Sequence, residues 1–264
     1  MFMKKLLAVA AIGCCVGGNS LTDPQASASP QEFWESMLTA KGGRVRLQSV
    51  QALVFQSSTR YPAWSRSDVV PGTQYEFVAQ FPDRCWVWGD FRPGSMGFSI
   101  AAWELSSGTH WLARNGMPAR RFAVTPDLAR SLRRRLEELQ VLYLLETKFL
   151  RPTIVSLVRH QDSPTAVLTV QTPEYSKVEY TVEVATRLPL AVRLTPRLPD
   201  GDGVPKQFVF EGDQDVSGVR MPRRVEGMGD VTFIVNPRID PRLFTTAPDG
   251  VASRDAWRKW LLPK

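Results

Sequence analysis

The stretch "KVEYTVEV", Lys177 to Val184, alternates with a period of two. Val178, Tyr180, Val182 and Val184 fall on one face, and Lys177, Glu179, Thr181 and Glu183 on the other. Successive side chains of a strand point to opposite sides, so the pattern predicts a strand with one face on a core and one in water. Antiparallel sheets allow such one-sided wetting, whereas parallel sheets are covered on both faces. The neighbouring runs read alike: "TIVSLVRH" and "TAVLTVQT" before it, then "PLAVRLTPR", "KQFVFEGDQDV", "MPRRVEGMG" and "VTFIVNP" after it, with Pro, Gly or Asp between them. No helical crossover separates these runs. That argues against a parallel α/β sheet and for short antiparallel strands.

The N-terminal half shows the same character. "RVRLQSVQALVFQSS" is strand-like, "TQYEFVAQFPDRCWVWGDF" is two aromatic runs broken at Pro82-Asp83, and "GFSIAAWELSSGTHWLAR" is two runs with a hairpin-like break at Ser106-Ser107-Gly108. Trp86 and Trp88 share a face by alternation, and Cys85 and Val87 take the other. Before these runs, Ser29-Pro30-Gln31-Glu32 has capping-box spacing with proline at the first helical position. Phe33, Met37 and Leu38 mark one face of the short helix that follows. Lys41 sits in its last turn, and Gly42-Gly43 supplies a left-handed stop.

Between the two halves lies "TPDLARSLRRRLEELQVLYLLE", Thr125 to Glu146. Thr125 is suited to the N-cap, Pro126 to the first turn, and Asp127 to the positive end of the helix dipole. Leu128, Leu132, Leu136, Leu139 and Leu142 advance by three or four and make one apolar face, on a helix expected to reach Phe149. Arg130, Arg133, Arg134 and Arg135 are matched in number by Asp127, Glu137, Glu138 and Glu146, with Arg133–Glu137 and Arg134–Glu138 as i,i+4 pairs. Nucleic-acid helices present a surplus of cations to phosphates. This one is balanced, so no nucleic-acid partner is expected, although the chain of 264 residues carries a net charge of +7. The helix is expected to lie along the sheet on its leucine face.

Residues 1–28 read as an export signal: Lys4-Lys5, an apolar run from Leu6 to Ile12, then small residues. The run is too short to span a bilayer as a helix. Two processing readings stay open, lipidation at Cys14 after "AIG" and cleavage after Ala28 in "ASA". In the second case only Cys85 remains and no internal disulfide is possible. Cys85 reads as a small buried hydrophobe. His110 and His160 stand fifty residues apart with no ligand-type residue at zinc spacing, so no metal and no cofactor are expected. G-x-S-x-G, H-E-x-x-H, Walker and G-x-G-x-x-G motifs are absent, and no enzymatic activity is expected.

"FPDRCWVWG", "HWLAR", the Thr-Pro-capped helix, "VEVATRLPLAVRL", "DVSGVRMPRRVE" and "VTFIVNPRIDPRLF" follow one another in an order that resembles the bacterial outer-membrane lipoprotein-sorting or lipoprotein-carrier family (LolA/LolB-like), over roughly Ser29 to Pro248. The resemblance implies a mainly β (α+β) fold: a strongly curved antiparallel sheet forming an incomplete barrel, with helices on its concave face and an apolar cavity for acyl chains between them. On that reading, 29–247 is the carrier-like domain and 248–264 a short amphipathic tail, in which Trp257, Trp260 and Leu261 stand among Arg254, Arg258 and Lys259. The expected lining is Phe77, Trp86, Trp88, Phe98 and Trp103 from the strands and Leu132, Leu136 and Leu139 from the helix. The expected function is a lipid- or lipoprotein-binding module, periplasmic or anchored at the outer membrane. Its partners would be an acyl chain and a membrane surface, with the chain itself a monomer. The alternative is a non-enzymatic envelope structural or interaction protein with the same fold and a filled core.

The export reading is open to a direct check. Fractionation of the source cell should find the chain in the envelope. If Cys14 is acylated, Cys14→Ala abolishes palmitate labelling and membrane association. Full-length chain retained in the cytosol would contradict export.

Overall fold

Antiparallel pairing carries the chain from one end of its sheet to the other. The computed structural model describes residues 28–57, 74–90, 98–114, 119–145, 148–160, 162–246 and 261–262. The export signal and Cys14 therefore lie outside the described residues, as does the tail apart from Leu261 and Leu262.

Six strands come from the first half: β1 (Ala52–Ser57), β2 (Gln74–Gln80), β3 (Arg84–Asp90), β4 (Phe98–Glu104), β5 (Thr109–Arg114) and β6 (Arg120–Ala123). Eight come from the second: β7 (Thr153–Arg159), β8 (Thr165–Gln171), β9 (Tyr175–Glu183), β10 (Pro189–Leu198), β11 (Gly201–Asp202), β12 (Lys206–Val216), β13 (Val219–Val225) and β14 (Gly229–Val235). They form one 14-stranded sheet in the order β6-β5-β4-β3-β2-β1-β14-β13-β12-β10-β9-β8-β7, with β11 folded back on β10. Two meanders are thus joined where β1 pairs with β14. The edge strands β6 and β7 do not meet, so the architecture is mainly β and that of an incomplete barrel. A separate ribbon pairs β15 (Arg238–Ile239) with β16 (Leu261–Leu262).

β9 bears out the period-two pattern: Val178, Tyr180 and Val182 are buried, and Lys177 is exposed. The break at Ser106-Ser107-Gly108 is the β4–β5 hairpin, in which Gly108 has a positive φ and Glu104 faces Thr109. In "SGVRMPRR", Ser217 and Gly218 both take positive φ, so Val216 opposes Val219 across a two-residue turn. One stretch differs. "RVRLQ" is a short helix, α2 (Arg44–Gln48), and the strand begins only at Ala52. Its one β-branched residue, Val45, is exposed, and the other four are good helix formers.

The helices divide between the two faces. α1 (Pro30–Ala40) has the expected capping box at Ser29 and Glu32, and buries Phe33, Trp34, Met37 and Leu38. It ends as predicted: Gly43 N–H donates to Leu38 O, and Gly42 takes φ 127°. A Cβ on Gly42 would lie 2.2 Å from the Gly218 carbonyl oxygen, so only glycine fits there. α3 (Pro126–Leu142) is capped by Thr125 Oγ1 accepting from Leu128 N–H. It stops seven residues short of Phe149, because Leu144 turns left-handed (φ 53°) and Leu145 N–H closes back onto Gln140 O. Tyr143, Leu144 and Leu145 are buried in the core instead of extending the helix. α4 (Arg242–Thr245) packs Leu243 and Phe244 on the opposite face of the sheet.

Leu136 is 1 % exposed and sits in the larger core. Leu136→Ala should lower the unfolding free energy by about 2–5 kcal/mol in chemical denaturation, the range for a buried leucine. Arg133 is exposed, and Arg133→Ala should cost less than about 1 kcal/mol.

Candidate functional site

The face of α3 that the leucine spacing marks is the face that meets the sheet. Leu132, Leu136 and Leu139 lie in one buried cluster with Phe77 and Trp103 from the strands and Leu38 from α1. Tyr143, just beyond the helix, packs edge-on to Phe233 at 4.9 Å and stacks near Phe55 at 6.1 Å. Tyr180 reaches up from β9 and donates to Val141 O at 2.8 Å. This is the interior in which an acyl chain was expected.

Trp86 and Trp88 are not part of it. They sit on the other face of the sheet with Val54, Val78, Ala102, Trp111, Leu243 and Phe244. The reason is register. Gln80 pairs with Arg84 across the three-residue turn, which sets Phe77 opposite Val87 and Val78 opposite Trp86. Cross-strand partners share a face, so Phe77 goes with Val87, and Cys85 with Trp103, to the α3 side. The turn at Phe81-Pro82-Asp83 held this information, and alternation within one strand did not. α4 covers the tryptophans from outside, with Trp111 Nε1 donating to Phe244 O at 3.0 Å. Phe98 is placed in β4 opposite Asp90, and its side chain lies outside the described residues.

Polar groups ring the α3 interface. Glu137 and Glu138 are buried, contrary to the exposed ion pairs with Arg133 and Arg134 that their spacing suggests, and Gln140 is buried beside them. Glu137 accepts from Glu174 N–H at 2.9 Å, and Glu138 accepts from Tyr175 Oη at 2.9 Å. Arg134 turns to Arg197 O and lies 3.8 Å from Glu174, while Arg130 pairs with Asp127 at 3.6 Å. Burial raises the carboxyl pKa of both glutamates, offset for Glu138 by Lys206, the Tyr175 hydroxyl and Arg135. The equal count of charges therefore hides a segregation: Glu137 and Glu138 face the sheet, and Asp127, Arg130 and Arg133 face out.

Lys41 is the second buried charge. It is 4 % exposed and its ammonium donates to Arg220 O, while Arg220 N–H donates to Lys41 O. Beside it, between Leu142, Phe210, Asp213 and Pro222, is a pocket of about 20 Å³, the room of one water molecule. Burial lowers its pKa from 10.5 to about 7, partly offset by Asp213. Cys85 is fully buried, and burial pushes its thiol well above the ordinary value, so it is not a ready nucleophile. Among the described residues no group of three or more His, Cys, Asp or Glu is placed to hold a metal ion. Among them, too, no helix is long and apolar enough to cross a membrane.

No protein-family model matches the chain, and no curated protein does. A similar solved structure is a Vibrio parahaemolyticus domain provisionally described as outer membrane lipoprotein-sorting. The match has 10% identity and a TM-score of 0.36, and covers 78% of this chain and 91% of that one. At that distance the likeness says nothing of what this chain binds.

Lys41 binds its proton more weakly folded than unfolded. Between about pH 7 and the ordinary lysine value of 10.5 the unfolded chain therefore holds more protons, and stability rises with pH. From pH 7 to pH 9 the unfolding free energy should gain up to about 2 kcal/mol through this group. Denaturant titrations of wild type and Lys41→Met should show that slope only in the wild type.

Proposed function

We propose that the chain is an exported envelope module that binds the acyl chain of a lipid or lipoprotein between its sheet and α3. The observation that carries this reading is the form of the cover. The amphipathic helix α3 sets its leucine face into the buried cluster of an unclosed sheet, and at its rim it is held by buried hydrogen-bonded carboxylates. Buried carboxylates stabilise less than aliphatic packing of the same volume. Such contacts suit a cover that moves more than a permanent core element. A displaced α3 opens Phe77, Trp103 and the leucine face to a flexible chain, each buried methylene contributing roughly 0.8 kcal/mol. The export pattern at Lys4-Lys5 and Leu6–Ile12 supports an envelope location.

A second reading keeps the same fold as a structural or interaction protein of the envelope. The close packing under α3 and the one-water size of the pocket beside Leu142 favour it. Titration of delipidated protein with a fluorescent fatty-acyl probe, following tryptophan emission, separates the two. Saturable binding, weakened by Leu136→Gln in a still-folded protein, is the expected result. Absence of binding by folded protein leaves the structural reading in place.

A further inference from the structure

Four rings step across the α3 side of the first meander, three of them in one cross-strand row and Phe77 diagonal to it. Phe77 on β2 packs edge-on to Trp103 on β4, with centroids 6.4 Å apart. Trp103 is the direct cross-strand partner of His110 on β5. His110 in turn is the partner of Phe122 on the edge strand β6, with rings 5.7 Å apart. The row passes from the buried core to open solvent: Phe77 and Trp103 are buried, His110 is half-buried, and Phe122 is 45 % exposed. Arg120, two residues from Phe122 and so on the same face, is exposed beside it.

Two polar atoms along this row are buried without a hydrogen-bond partner, the indole Nε1 of Trp103 and Nδ1 of His110. Trp103 is 3 % exposed, so its N–H has given up water without gaining an acceptor. Buried donors are nearly always satisfied, and an orphan calls for a reason. The neighbouring strand positions on this face, Cys85 and Val87, supply no carbonyl or carboxylate side chain.

We propose that this row is the track of an acyl ester. The hydrocarbon lies against Phe77 and the α3 leucines, the ester carbonyl accepts the Trp103 Nε1–H, and the head group leaves over β6 past Phe122 and Arg120. The inference rests on the acyl-binding reading above and adds to it the ligand's polarity and direction. A neutral carbonyl suits the site, because an indole N–H is a neutral donor. Burial lowers the pKa of His110 and keeps the adjacent imidazole uncharged at neutral pH. His110 then meets the ester's second oxygen as a neutral group, and Arg120 stands where an anionic head group would emerge.

The test is competition of two ligands against a fluorescent acyl probe: palmitoyl lysophosphatidylglycerol and its alkyl ether analogue, which lacks only the carbonyl. Wild type should favour the ester roughly threefold to tenfold, the worth of one net hydrogen bond. Trp103→Phe, which keeps a ring and loses the N–H, should bind both ligands alike, at the wild-type ether level, with an unchanged far-ultraviolet circular dichroism spectrum. Equal binding of ester and ether by wild type overturns the carbonyl site and leaves acyl binding standing. So does an ester preference that survives in Trp103→Phe. Binding of neither ligand by folded wild type removes both.

Discussion

An antiparallel sheet that stops at two edges leaves a large apolar face in need of a cover, and the contact of α3 with that face meets the need. Leu132, Leu136 and Leu139 place one side of the helix on the strands, and Tyr143 to Leu145 drop into the core where the helix ends. α1 covers the second meander, with Trp34 near Tyr180 at 5.9 Å and Arg187 over the Phe33 ring at 4.6 Å. Remove the α3 contact and Phe55, Phe77 and Trp103 on β1, β2 and β4 lose part of their cover against water. α4 does the smaller task of shielding the opposite face, where Trp86, Trp88 and Trp111 would otherwise stand in solvent.

The apolar contact is bounded by charge. Glu137 and Glu138 are drawn under the helix and bonded to the start of β9 and the turn before it, and Lys41 fixes the end of α1 to β13. The two kinds of group respond to pH in opposite senses to most surface charges. Raised carboxyl pKa values contribute stability at acid pH that is lost as pH rises through them, and the depressed lysine contributes destabilisation that is full below about pH 7 and fades between there and the ordinary lysine value of 10.5. The two glutamates lie within the contact surface of α3, and the lysine lies where α1 meets β13.

Much of the fold was legible because its signals are local. The period-two runs, the capping box at Ser29, the glycine stop at Gly42-Gly43 and the Thr-Pro cap of α3 each need only a few neighbouring residues. What escaped depends on partners distant in sequence. Placing Trp86 and Trp88 required the register between β2 and β3, and the burial of Glu137 required knowing that Glu174 would offer its N–H. The end of α3 at Leu142 rests on Leu144 accepting a left-handed conformation, which leucine propensity does not announce. β6 is four residues long and exposed throughout, so it shows no hydrophobic pattern to read. Of the residues expected to line a cavity, Phe77, Trp103 and the three leucines share one buried cluster. The row through His110 and Phe122 emerges only when strands are set side by side.

Hydrogen–deuterium exchange of the α3 amides, with and without oleate, tests the central claim most directly. If the helix is a cover over an acyl site, amides from Leu132 to Leu142 should change their exchange rate on ligand addition, while those of β8 and β9 stay as they were. Oleate binding that leaves α3 exchange unchanged would contradict the account and place any ligand elsewhere on the molecule.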